Sequence, residues 1–178
     1  MWHRASGFLI WAIVCAGIVL GARLLFPGDT VPRTVPRAHA QVAGLVSFPS
    51  AALSIKTSDD QIHKFKVEVA TSPEERSQGL MFRRALAPDA GMLFDFGRTE
   101  PVAMWMKNTL IPLDMLFIAS DGSVVNIAQR TVPESLTPIP SAKPVRYVLE
   151  LAGGTVSRLG VKPGDKVLYS AMGSAAVP

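Results

Sequence analysis

Eleven consecutive residues, Met104 to Asp114 (MWMKNTLIPLD), set two thioethers, an indole, an ammonium, an amide and a carboxylate side by side. A strand that only filled a core would not need that mixture. Trp105, Lys107, Asn108 and Asp114, with Glu150 at the end of a later apolar run, are the candidate ligand-binding residues. A flat indole face combined with directional amide and carboxylate hydrogen bonds suits a saccharide or another small polar ligand. In a second reading, Asp114 and Glu150 form the acid/base pair of a hydrolase, which requires carboxyl groups roughly 5–10 Å apart. The plainest reading is a partly buried carboxylate–ammonium pair that fixes strand register.

Other chemistries lack their residues. The sequence has no P-loop, no GxGxxG, no GxSxG and no HExxH. His3 and His39 stand near the N-terminus, so His63 is the one histidine of the later chain, and a surface imidazole is expected there. Cys15 is the single cysteine and also lies early, which leaves residues 41–178 without a thiolate nucleophile, a disulfide framework or a Cys-based zinc site. Met81, Met92, Met104, Met106 and Met115 are close enough in sequence to suggest copper(I). Core packing is the commoner use of thioethers and is the expectation. No catalytic residue, metal or cofactor is assigned.

Two related apolar blocks precede the MWMKN box: GLMFRR, Gly79 to Arg84, and GMLFDF, Gly91 to Phe96. The three blocks together suggest one densely specified surface or cavity. With YVLELAGG, from Tyr147, and the ER-x-x-GLM pattern at Glu75 to Met81, they resemble the bacterial and archaeal family called domain of unknown function 192. The similarity spans about Val67 to Leu168, with the family's Asp at Asp114 and its Glu at Glu150. The resemblance implies a compact, jelly-roll-like β fold, often behind a signal peptide, and implies no activity.

The elements that must position these residues read as short strands. Leu53–Thr57 and Ile62–Val69 alternate around the Ser58-Asp59-Asp60 turn and predict a hairpin. Ser72-Pro73-Glu74-Glu75 is a capping box opening a helix from Pro73 to about Gln78, ended by Gly79, so both glutamates are expected at the helix start rather than in catalysis. Strands are expected at Gly91–Phe96, Val102–Lys107, Met115–Ala119, Val124–Ala128, Val145–Leu151 and Lys166–Ser170, with Asp121-Gly122 as a hairpin turn. The proline-bearing stretch 131–144 predicts a long irregular loop, and Thr155–Leu159 a single helical turn. Seven or eight strands without βαβ alternation give a mostly β, antiparallel sandwich or barrel with one or two short helices.

The rest of the chain concerns targeting. Residues 5–22 carry no charge, with Arg4 before them and Arg23 after them. They predict a signal peptide or membrane anchor over residues 1–26, then a linker over 27–44, the domain over 45–172 and a tail over 173–178. Ala38-His39-Ala40 offers a cleavage site after Ala40, whereas Arg23, Arg33 and Arg37 on the exported side favour retention as an anchor. Most of the net charge of +4 belongs to this leader; residues 41–178 hold 14 Lys and Arg against 13 Asp and Glu. A nearly neutral domain gives no electrostatic case for nucleic acid. The expectation is an exported domain, periplasmic or extracellular, that binds a small polar ligand such as a saccharide or a cell-envelope component. The alternatives are a carboxylate-dependent hydrolase and a membrane-tethered protein-interaction module.

Overall fold

The computed structural model of the protein describes residues 46–172. The leader, its cleavage site, the linker and the tail beyond Met172 lie outside the described residues. Among the described residues no helix is long and apolar enough to cross a membrane.

Among the described residues nine strands and two short helices follow in chain order. β1 (Ser50–Lys56) and β2 (Ile62–Ala70) form the expected hairpin. Helix α1 (Pro73–Gln78) starts at its capping box: Ser72 Oγ accepts from Glu75 N–H at 3.1 Å and Glu75 Oε2 accepts from Ser72 N–H at 2.9 Å. β3 (Ala90–Glu100), β4 (Ala103–Met104), β5 (Leu113–Ile118), β6 (Val124–Ala128) and β7 (Ile139–Pro140) come next. β8 (Val145–Ala152), helix α2 (Thr155–Leu159) and β9 (Lys166–Tyr169) complete the domain.

Seven strands make one sheet in the order β6-β5-β8-β3-β2-β1-β9, and β4 pairs with β7 in a two-stranded ribbon. The large sheet curls until its two edges meet at a bridge between Ser123 and Lys166. Lys166 Nζ fastens that seam, donating to Asp121 Oδ2 at 2.9 Å and to Ser123 Oγ at 2.6 Å. The fold is thus mostly β and barrel-like, as the patterning implies. One pair of strands in the mostly antiparallel sheet runs the other way. β2 and β3 pair in parallel, because residues 71–89, with α1 among them, cross over and return the chain in the same direction.

The sheet has a core on each face. One contains Leu53, Phe65, Leu93, Leu116, Tyr147 and Leu149. The other contains Leu80, Met92, Phe94, Met106, Met115 and Val148. Alternate residues of β5 and β8 therefore point into different cores and both are buried, which explains the apolar run MLFI, Met115 to Ile118. Met92, Met106 and Met115 are fully buried, consistent with the packing role expected of them.

The expected strand Val102–Lys107 is shortened to Ala103–Met104. Beyond Met104 the backbone turns: Met106 N–H donates to Ser135 O at 3.0 Å and Thr109 N–H to Met106 O at 3.0 Å, with Asn108 left-handed at φ 55°. The alternation survives as burial even without ladder pairing. Met106 is buried and Met104 half-buried, while Trp105 and Lys107 stand outside.

Candidate functional site

Glu150 sits in the middle of the sheet. On β8 it pairs with Met92 of β3 on one side and Met115 of β5 on the other, both fully buried. Its residue is only 4% exposed. Nothing acts on its carboxyl but the loss of water, and burial alone pushes its pKa up to about 8. At neutral pH Glu150 is a carboxylic acid and a hydrogen-bond donor.

That acid forms part of the wall of a pocket of about 350 Å³, within the usual span of roughly 300–1,000 Å³ for small-ligand sites. All three apolar blocks singled out in the sequence contribute. Leu80 and Met81 come from the first, Phe94 and Phe96 from the second, Met104, Trp105 and Lys107 from the third. Trp105 is 50% exposed and carries the Lys107 ammonium over its ring, 5.3 Å from the centroid. Arg76 of α1 also lines the pocket, its guanidinium 5.3 Å from the centroid of the Phe96 ring. It donates to the backbone carbonyls of Thr71 and Asp95 and has no carboxylate partner among the described residues. The ionisable groups of the lining are thus Arg76, Lys107 and Glu150. Arg76 was read in the sequence only as part of the capped helix; its neighbour in the ER-x-x-GLM block, Gly79, ends that helix so that Leu80 and Met81 can reach the pocket.

The structure brings Trp105, Lys107 and Glu150 together and leaves Asn108 and Asp114 outside the lining. Asn108 shapes the rim instead. Its carbonyl accepts from Phe82 N–H at 2.8 Å, and both residues hold left-handed backbones, φ 55° and 65°. Asp114 is fully buried and committed to the backbone. Oδ1 accepts from Arg130 N–H at 2.8 Å, and Oδ2 from Gly154 N–H at 2.9 Å and Val156 N–H at 2.8 Å. It caps α2 from a distant strand, since the helix's own N-cap, Gly154, has no side chain to do so. The ammonium–carboxylate pair considered for Asp114 does not form, because backbone amides occupy both its oxygens. His63 is half-buried rather than on the surface, and its Nε2 is enclosed without a partner. Among the described residues no three His, Cys, Asp or Glu side chains gather to hold a metal.

Among the described residues seven large apolar side chains are exposed, including Trp105 of the lining and Phe82, Leu110, Val132 and Leu136 on the loops next to it in sequence. Their loops are tied by backbone hydrogen bonds from Phe82 to Asn108, Met106 to Ser135 and Glu134 to Thr109.

The described residues thus form a curled β domain in which one buried acid, without a hydrogen-bond partner among those residues, lies in the wall of a pocket that also carries Arg76 and Lys107. The chain belongs to the family called domain of unknown function 192, described as uncharacterised ACR, which matches residues 54–169. Among solved structures it is similar to a Sinorhizobium meliloti 1021 protein provisionally called a transcription regulator. That protein is 54% identical, with a TM-score of 0.70, over 71% of this chain and 98% of the other. It is also similar to a protein of unknown function from Novosphingobium aromaticivorans DSM 12444, 40% identical with a TM-score of 0.66, over 72% of this chain and 89% of the other. Comparison with curated proteins returns no match.

Proposed function

We propose that the domain binds a small ligand in the Glu150 pocket without transforming it, on the exported side of a membrane. The observation that supports this reading is the Glu150 carboxyl, in the wall of a ligand-sized pocket with no hydrogen-bond partner among the described residues. A buried polar group is normally hydrogen-bonded, and a ligand would supply the missing acceptor. The hydrolase reading has less support. Asp114, the second carboxylate it requires, has both oxygens engaged by backbone N–H groups. Glu150 is the one carboxyl in the pocket lining, so the pocket lacks the pair that glycoside hydrolysis uses. Export is proposed from the uncharged stretch at residues 5–22.

A cell-envelope component with apolar surface fits the lining better than a bare saccharide. The wall carries the apolar side chains of Leu80, Met81, Phe94, Phe96 and Met104, and Asn108 and Asp114, the amide and second carboxylate expected to read sugar hydroxyls, lie outside it. Trp105 is the only tryptophan of residues 41–178, so its fluorescence reports directly on the pocket rim. Envelope lipids, saccharides and peptidoglycan fragments screened against that domain should yield ligands that shift the Trp105 emission and raise the melting temperature, with both effects lost in Glu150→Leu. A screen in which no compound moves either signal, or in which Glu150→Leu responds like the native chain, rules this function out.

A further inference from the structure

The charges of the pocket specify what enters it. At neutral pH its lining holds two cations, Arg76 and Lys107, and no anion, since Glu150 keeps its proton. Neither cation is paired to a carboxylate among the described residues; each lies against an aromatic ring instead. The groups facing Glu150 are apolar on both flanking strands, Met92 and Phe94 from β3 and Met115 from β5. The charged groups come only from α1 (Arg76) and from the loop after β4 (Lys107). Trp105 in the lining is half exposed, and Phe82 and Leu110, next in sequence to the lining residues Met81 and Thr109, are exposed and apolar.

We propose that the pocket takes an amphipathic organic anion. Its acidic group accepts a hydrogen bond from the Glu150 hydroxyl and is neutralised by Arg76 and Lys107, while its apolar body lies on Phe94, Phe96 and Trp105. The inference rests on the pocket being a ligand site, and adds to it the sign and shape of the ligand. An O–H donor to a carboxylate or sulfonate oxygen is a short, charge-assisted hydrogen bond, stronger than a neutral one. A cationic amphiphile would meet two like charges and would have to expel the Glu150 proton. A neutral sugar would leave both cations without a countercharge.

Proton linkage gives the proposal its signature. A bound anion requires the protonated form of Glu150, so affinity is constant well below pH 8 and falls above it. For a fully linked proton the loss between pH 7 and pH 9 is about tenfold. Glu150→Gln keeps a donor that cannot ionise and should bind the anion with no pH dependence. Glu150→Leu has no donor and should bind at least tenfold more weakly at pH 7. The solved relatives contain little beyond this domain, so residues 46–178 are the unit to test.

The experiment is calorimetric titration of that domain with decanoate and with decanesulfonate, both singly ionised from pH 6 to pH 9, alongside decyltrimethylammonium and decyl glucoside. The expected result is anion binding that weakens above pH 8 in the native domain, stays level in Glu150→Gln and weakens in Lys107→Ala. If the cation or the glucoside binds as tightly as the anions, the ligand class is overturned while the pocket remains a binding site. If no probe binds and Glu150→Leu matches the native domain throughout, the site itself is overturned. Anion binding that is indifferent to pH and to Glu150 also overturns the assignment, because the acid would then take no part.

Discussion

Asp114 and Glu150 have the same ionisable group in the same sheet and meet opposite fates. Each is buried, yet Asp114 receives three backbone N–H donors while Glu150 receives none. Removing the Asp114 side chain would strand one buried donor, Val156 N–H, and two partly buried ones, Arg130 and Gly154 N–H, at a combined cost of roughly 3 kcal/mol. Asp114→Ala should therefore lower the unfolding free energy by about 3 kcal/mol or more in urea titrations. Asp114→Asn, which keeps one acceptor oxygen and turns an NH₂ toward the remaining donors, should fall between the two. A loss under 1 kcal/mol in the alanine variant would mean water replaces the carboxylate and the distant cap of α2 is unimportant. Residue types alone could not separate these two acids. Both stand in or beside apolar runs, and the partners of Asp114 are amides 16 to 42 residues further along the chain. Lys107 and Trp105 were legible because they alternate with methionines in a half-buried stretch. Asn108 was not, because its role depends on a left-handed turn that the reading as a strand concealed.

The elements were mostly readable because their signals are local. The Ser72–Glu75 box, the Asp121-Gly122 turn and the alternation of β1, β2 and β8 depend on neighbours in sequence, and the strands and helix lie where those patterns place them. The parallel pairing of β2 with β3 depends on how a crossover packs, which a single sequence does not encode locally. This pairing bears on the site, since β3 presses against β8 where Glu150 sits. Gly91 marks that contact: an added Cβ would meet the Glu150 carbonyl oxygen at 2.6 Å and Leu151 Cδ2 at 2.8 Å. Gly91→Ala should cost about 1–3 kcal/mol by overpacking and displace Glu150, so ligand-induced changes in Trp105 fluorescence should vanish along with part of the stability. Ser72→Ala offers a milder perturbation of the opposite wall. Loss of the cap should cost about 1 kcal/mol and loosen α1, which carries Arg76. Thermal unfolding of the two variants separates them, with Gly91→Ala expected to be the more destabilised; the reverse order would contradict the tight β3–β8 approach.

At the scale of the whole domain, Glu150 sets an unusual dependence of stability on pH. A carboxyl whose folded-state pKa is raised from 4.5 to about 8 favours the folded state fully below the unfolded value. It then loses that contribution as pH climbs toward the folded one. The slope is about 1.4 kcal/mol per pH unit across the window, for an upper limit of about 5 kcal/mol, reduced by whatever water enters the pocket when the group ionises. The other shifted carboxylates act at the opposite end. Asp121 is held down at about 2 by Lys166 and Ser123. Glu75 is lowered by the Ser72 and Thr71 backbone N–H groups. Their contributions are present above the unfolded values and lost on acidification, and solvent exposure keeps them small. The Glu150 contribution should thus be full near pH 4.5 and be lost steadily toward pH 8. Glu150→Gln removes the alkaline slope: its melting temperature should stay level from pH 5 to pH 8 and exceed the native domain's at pH 8, while the two converge near pH 4.5. Superimposable profiles for the two chains would mean that Glu150 ionises in the folded state as easily as in water. A saturating anion, by holding the proton on Glu150, should flatten the native profile in the same way, so a single melting series measures both the cost of the buried acid and its relief by ligand.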